Sequence, residues 1–192
     1  MQTDQGPLDV QRIWDRAPHN AFTDLIRFRD RWYCAFREGQ AHVSDDGRLC
    51  VLCSDDGDTW NEVQTFSWRG GDVRDAKLSV TASGQLMLNG AIRFIKPVSG
   101  HVHQSVTWLS DDGKTFSDAW ACPTGLGTWR WSVTWHAGLG YSFGRGDKDP
   151  RGALYRTADG KLWHELKRDP YPPGYCNESS IVFDPDDVAW CL

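Results

Sequence analysis

Ser54-Asp55-Asp56-Gly57-Asp58-Thr59-Trp60 recurs as Ser110-Asp111-Asp112-Gly113-Lys114-Thr115-Phe116 and again as Thr157-Ala158-Asp159-Gly160-Lys161-Leu162-Trp163. The copies start 56 and 47 residues apart, a spacing that suits supersecondary units repeated along a chain. Each follows a strand-like run (Leu49 to Cys53, Gln104 to Leu109, Ala153 to Arg156) and leads into another. Asp-Gly supplies the positive φ angles of a tight hairpin turn. The Asp carboxylate accepts hydrogen bonds from the turn's own amides, and the Ser or Thr hydroxyl adds one more. The closing aromatic is then expected to plug the turn into the layer beneath.

Between these hairpins lie further strand pairs. Asn20 to Phe28, Asp75 to Thr81, Trp129 to His136 and Asn177 to Asp184 each read as a strand. Each is followed by a short turn and a second strand: Trp32 to Arg37, Gln85 to Phe94, Gly140 to Arg145 and Val188 to Leu192. Four short strands per repeat is the pattern of a propeller blade. The fold expected is all-β, a β-propeller of four-stranded antiparallel blades. The units fall at 20–68, 75–122 and 129–169, with half of a fourth from 177, all within one partial domain over 1–192. Val10 to Asp15 is expected as an outer strand that closes a last blade. The ring reads as truncated, and self-association through its open edges is the alternative.

Composition agrees. Eleven Trp, 8 Phe and 5 Tyr stand against 2 Met, with 19 Gly and 9 Pro spread along the chain. Large flat side chains suit a pleated surface, and no long stretch carries helical periodicity. A net charge of −5 argues against a nucleic-acid partner. No apolar run is long enough to span a membrane, and Met1 to Pro7 shows no leader pattern, so a cytoplasmic location is the default expectation. Most of the six cysteines sit in strand-like runs, where Cys acts as a small buried hydrophobe. Cys50 and Cys53 face opposite sides of a strand and have no second pair at zinc spacing. No metal or other cofactor is expected.

The three hairpins resemble the Asp boxes of the sialidase superfamily, whose usual form is Ser-x-Asp-x-Gly-x-Thr-Trp, with one residue fewer between Asp and Gly. Asn177-Glu178-Ser179 is similar to the segment that opens the fourth blade of bacterial sialidases. That resemblance implies a six-bladed ring, of which about three and a half blades are present. It also implies that Glu178 takes the proton of a nucleophilic tyrosine, which in the family belongs to the sixth blade and so lies beyond residue 192. A phenol needs such a neighbour to attack at neutral pH. The chain departs from the family in its first blade. His19 to Leu25 holds no arginine where the family has Arg-Ile-Pro, and Arg37-Glu38-Gly39-Gln40 stands for Ala-Glu-Gly-Arg. The family's general-acid aspartate would fall near His42, with Asp45 and Asp46 in a turn.

In a propeller the first strand of each blade lines the axis. The candidates are therefore the polar residues heading those strands: Asn20, Asp24, Arg74, Asp75, Arg130, Asn177 and Glu178, with Arg37 and Glu38 at a second-strand end. Glu178 is the catalytic candidate; Arg37, Glu38, Arg74, Asp75, Arg130 and Asn177 are candidates for holding a carbohydrate substrate or ligand. The competing reading makes Arg37-Glu38 and Arg74-Asp75 ion pairs that tie blades together. Trp129 and Trp131 read as inter-blade packing, His101 and His103 as a solvated pair lacking a third metal ligand, and Arg145-Gly146-Asp147 as a chance tripeptide. The function expected is a sialidase-like exo-glycosidase acting on a terminal sugar, acidic ones included, with the chain inactive by itself. The alternative is a non-catalytic carbohydrate-binding or scaffold propeller.

Overall fold

A computed structural model describes residues 10–192, so the leader reading of Met1 to Pro7 lies outside the described residues. No helix occurs among them. The chain folds into successive antiparallel sheets, each laid down in sequence order. The first holds β1 (His19–Phe28), β2 (Arg31–Gly39), β3 (Arg48–Ser54) and β4 (Asn61–Phe66). The second holds β5 (Gly71–Val80), β6 (Leu86–Val98), β7 (His101–Ser110) and β8 (Trp120–Leu126). In the third, β9 (Thr128–Arg130) and β10 (Thr134–His136) both pair with β11 (Leu139–Gly146), followed by β12 (Ala153–Thr157) and β13 (His164–Arg168). A two-stranded sheet, β14 (Ile181–Phe183) with β15 (Ala189–Cys191), ends the chain. The first strands of neighbouring sheets pack in succession: β1 on β5, β5 on β10, β10 on β14.

The three repeated turns link the third and fourth strands of the first two sheets and the last two strands of the third. In each, one carboxylate oxygen caps two amides. Asp56 Oδ1 accepts from Asp58 N (2.9 Å) and Thr59 N (2.8 Å). Asp112 Oδ1 accepts from Lys114 N and Thr115 N, and Asp159 Oδ1 from Lys161 N and Leu162 N, at 2.8 to 2.9 Å. The Ser54, Ser110 and Thr157 hydroxyls accept from the glycine amides.

The turns also fasten sheet to sheet. A Cβ on Gly113 would stand 2.2 Å from Tyr33 Oη of the first sheet, and one on Gly160 would stand 2.5 Å from Met87 Sδ of the second. Phe116 packs edge-on against Phe66, with ring centroids 5.2 Å apart. Trp163, 2% exposed, joins Met87, Leu109, Cys122 and Val133. A buried ion pair adds a second tie. Asp72 of β5 accepts from Arg37 Nε of β2 (2.8 Å) and from its own strand's Arg74 (3.2 Å), and all three side chains are nearly or fully buried. Gly47 closes over this pair, since a Cβ there would fall 1.7 Å from Asp72 Oδ1.

Three expected strands differ. Val10 to Asp15 forms none; Trp14 instead packs on Phe36 (5.6 Å) and donates to Glu38 (2.8 Å), which anchors the segment by side chain rather than by ladder. Trp129 to His136 splits around residues 131–133, and of Asn177 to Asp184 only Ile181–Phe183 is strand. All six cysteines are free thiols. Burial pushes Cys34 up to about 11 and Cys50 higher still, as expected of thiols held as packing groups.

Two measurements check these ties. The Thr59 and Asp58 amides, with Ser54, hold Asp56 down from 3.8 to about 2, and the Thr115 and Lys114 amides likewise lower Asp112. A carboxylate lowered on folding adds stability above its unfolded value and loses it as pH falls through its folded value. Urea midpoints should therefore hold steady above pH ~4 and fall between ~4 and ~2, with a shallower fall in Asp56→Asn/Asp112→Asn. Separately, Asp72→Asn leaves Arg37 and Arg74 without their shared counter-charge and should cost roughly 3–5 kcal/mol in equilibrium urea unfolding.

Candidate functional site

The first strand of each sheet is interrupted at one level. In β1 the register slips between Ala21 and Asp24, and Phe22 takes φ 62°. In β5 it slips between Arg74 and Lys77, and Asp75 takes φ 54°. The third sheet breaks at residues 131–133, and just before β14 Glu178 takes φ 48°. A left-handed conformation outside glycine costs on the order of 1–3 kcal/mol and persists only where its surroundings impose it. Asp adopts it more easily than Phe or Glu. The slips in β1 and β5 break the alternation of faces at Phe22 and Asp75.

Arg74 and Asp75 are both buried, at 6% and 5% exposure. The Arg74 guanidinium lies 5.4 Å from the Phe22 ring centroid and 5.7 Å from that of Trp129. Arg145 stands over Trp129 at 5.7 Å, and the His103 ring lies 4.7 Å from it. Two donors here are buried without a protein partner among the described residues: Arg74 Nε and Trp129 Nε1. Trp129 Nε1 nonetheless lies near the Asp75 carboxylate. Burial raises the Asp75 carboxyl above its ordinary value and the negative Glu178 adds to the rise, while Arg74, Trp129 and Lys77 pull it down. Glu178 and Asn177 are exposed.

The other candidates are held inside the protein. Arg37 is fully buried; its remaining donors reach Ala41 O (3.0 Å) and Ser44 Oγ (3.1 Å). Glu38 accepts from Trp14 and from Arg48 Nε (2.6 Å). Burial alone would raise the Glu38 carboxyl, but these bonds outweigh it and hold it below its usual value. Glu38 lies beside a cleft of about 300 Å³ that includes Arg16, Gln40, Asp46 and Arg48. Asp24 accepts from Leu78 N of the neighbouring sheet (2.7 Å), and Asn20 is exposed. Arg130 lies 4.8 Å from the Trp163 ring centroid and 5.6 Å from that of Tyr155, beside a void of about 10 Å³. Its guanidinium is therefore packed between the second and third sheets.

Two residues carry parts that the sequence reading left unassigned. Asp72 lies two positions before Arg74, on the same strand face, and that alternation was the available signal. Asp147 accepts from Val102 N (2.7 Å) and the His103 ring, so the Arg145-Gly146-Asp147 carboxylate is a buried brace between sheets.

No protein-family model and no curated protein sequence matches the chain. Solved structures do match it. The chain is similar to an endo-arabinase from Bacteroides thetaiotaomicron, with TM-score 0.56 and 14% identity over 94% of this chain and 69% of that one. It is similar to a thermostable family-43 glycoside hydrolase, with TM-score 0.60 and 12% identity over 86% and 62% of the two chains. A family 117 glycoside hydrolase from the marine bacterium Zobellia galactanivorans gives TM-score 0.60 and 13% identity over 82% and 49%. The chain thus spans between about half and somewhat over two thirds of these proteins. At such identities the likeness is one of fold: the chain has the all-β, propeller-like architecture of these glycoside hydrolases.

Proposed function

We propose that the chain belongs to a carbohydrate-active propeller of the glycoside hydrolase type, a sialidase-like exo-glycosidase that acts on a terminal sugar, acidic ones included. The observation that carries this reading is the group around Asp75. A sugar hydroxyl accepts through oxygen lone pairs and donates through its proton. The unpartnered Arg74 Nε donor, with the Trp129 indole N–H and the Asp75 carboxylate beside it, offers that complement. Buried donors without partners are costly, and a ligand oxygen relieves them.

In this reading the sheets are blades one to three and part of a fourth, and the turns at Ser54, Ser110 and Thr157 are Asp boxes. Arg74, Asp75 and Trp129 hold the sugar, and Asn177 and Glu178 approach it from the open side. Glu178 accepts the proton of the attacking oxygen, which the sialidase resemblance makes a tyrosine phenol. Arg37 and Glu38 act from beneath as braces. The fold neighbours named above, an arabinase and two glycoside hydrolases, support a carbohydrate ligand.

A second reading, a non-catalytic carbohydrate-binding or scaffold propeller, is favoured by the lack of an arginine from His19 to Leu25 and by the engagement of Arg37 within the protein. Calorimetric titration with sialosides and neutral glycosides should give binding, and Trp129→Phe, which deletes one donor and keeps a ring, should weaken it about tenfold. On a fluorogenic sialoside, a longer chain that supplies the tyrosine should turn over, and Glu178→Gln should abolish that turnover. Binding without turnover in that longer chain selects the second reading, and no binding to any sugar ends both.

A further inference from the structure

We propose that His103 and Asp147 are a positioning pair that fixes the Trp129 indole for its ligand, an inference that rests on the carbohydrate-site reading above. Trp129 is buried on β9, a strand of only three residues held from both sides. Toward β11 it lies opposite Arg145 in the ladder. Toward β7 the Ser105 hydroxyl donates to Thr128 O (3.0 Å) and accepts from Arg130 N (3.2 Å). These bonds hold the backbone. The rotation of the ring is left to its side-chain neighbours.

Those neighbours are unequal. The Arg74 and Arg145 guanidinium groups each stand 5.7 Å from the ring centroid, at the ends of long, jointed side chains. The His103 imidazole is nearer, at 4.7 Å, and it is pinned. Its Nδ1 bonds Asp147 Oδ1, while Asp147 Oδ2 accepts from Val102 N (2.7 Å) and His103 N (3.3 Å). The Asp147 amide donates to Gly127 O (2.9 Å), two residues before Trp129, and Gly127 N donates to His103 O (2.7 Å). A closed loop of bonds thus runs from β7 through Asp147 to the turn that starts β9 and back. Elsewhere the same two sheets are joined by apolar groups such as Met87, Leu109 and Val133. A buried imidazole and carboxylate cost more to desolvate. They stand against the one indole assigned to the ligand, where a fixed ring matters most.

The pair also makes the ring sensitive to a proton. The carboxylate sets Nδ1 as the protonated nitrogen of the neutral imidazole. The other groups facing the pair are Arg93, opposite His103 on β6, Arg145 on β11, and His101 on the same strand as His103, its Nδ1 3.6 Å from Asp147. Burial, with Arg145 and Arg93, outweighs Asp147 and lowers His103 from its ordinary value, so the ring is neutral at pH 7. Charging it places a cation beside the indole.

The test follows the Trp129 indole N–H by nitrogen-15 spectroscopy of the full chain from pH ~8 to ~5, with Trp129→Phe assigning the signal. The signal should move with a midpoint below 6.5. In Asp147→Asn, which removes the charge that favours the proton, that midpoint should fall further. His103→Asn keeps a donor toward Asp147 but cannot titrate, and should abolish this movement. Calorimetric titration with methyl sialoside and methyl galactoside should show binding weakened about tenfold in His103→Ala and largely restored in His103→Asn. A signal indifferent to pH overturns the pairing. So does one that moves unchanged in His103→Asn, since the shift then belongs to Asp75 on the other side of the indole N–H. Equal sugar affinity in His103→Ala and the unsubstituted chain overturns the positioning role. If the unsubstituted chain binds neither glycoside, the carbohydrate reading fails, and the indole titration still decides whether His103 and Asp147 govern Trp129.

Discussion

The architecture depends on a turn that is satisfied from within. Two amides and a hydroxyl converge on one aspartate oxygen, so the loop leaving the third strand needs nothing from its surroundings to hold its shape. That frees its glycine and its closing ring for another task. In the second and third turns the glycine lies flush against a side chain of the preceding sheet, and the aromatic enters the packing between sheets. A local hydrogen-bond pattern thereby sets the spacing of neighbouring sheets, and that spacing places their first strands beside one another.

The turns were readable because their chemistry is local: Asp-Gly with a preceding hydroxyl means one thing within seven residues. The strands around them were readable for a similar reason, since aromatic and β-branched runs bounded by glycines leave few alternatives. What the sequence hid was non-local. Trp14 looked like part of a strand because its neighbours are extended formers, but its indole is fixed by Phe36 and by Glu38, 24 residues away. Arg37 looked like a ligand clamp because a guanidinium near an axis suggests one. Its partner is Asp72, 35 residues on, and no local pattern announces that pairing. The breaks at Asp75 and Glu178 were hidden for the same reason, because neither residue is a glycine and the positive φ is imposed by packing.

The candidate site therefore has two levels. Arg37, Asp72 and Glu38 form a lower level of charges neutralised within the protein. Arg74 borders this level, because one of its nitrogens is engaged by Asp72 while Nε has no partner among the described residues. Asp75 and Trp129 lie on its other side, where Asp75 holds a positive φ and the buried Trp129 indole sits near its carboxylate. Concentrating strain on a rigid floor is how a fold holds reactive groups in place without letting them relax.

Gly47 gives the lower level a property that surface charges lack. By admitting no side chain, it lets the loop backbone press directly on Asp72 and shut out solvent from the Arg37 pair. Mobile ions act through water, so a dry pair is screened far less than an exposed one such as Arg93 with Asp45. Raising the ionic strength should loosen the rim and leave this floor intact, which makes the salt tolerance of the whole assembly hinge on one missing methyl group.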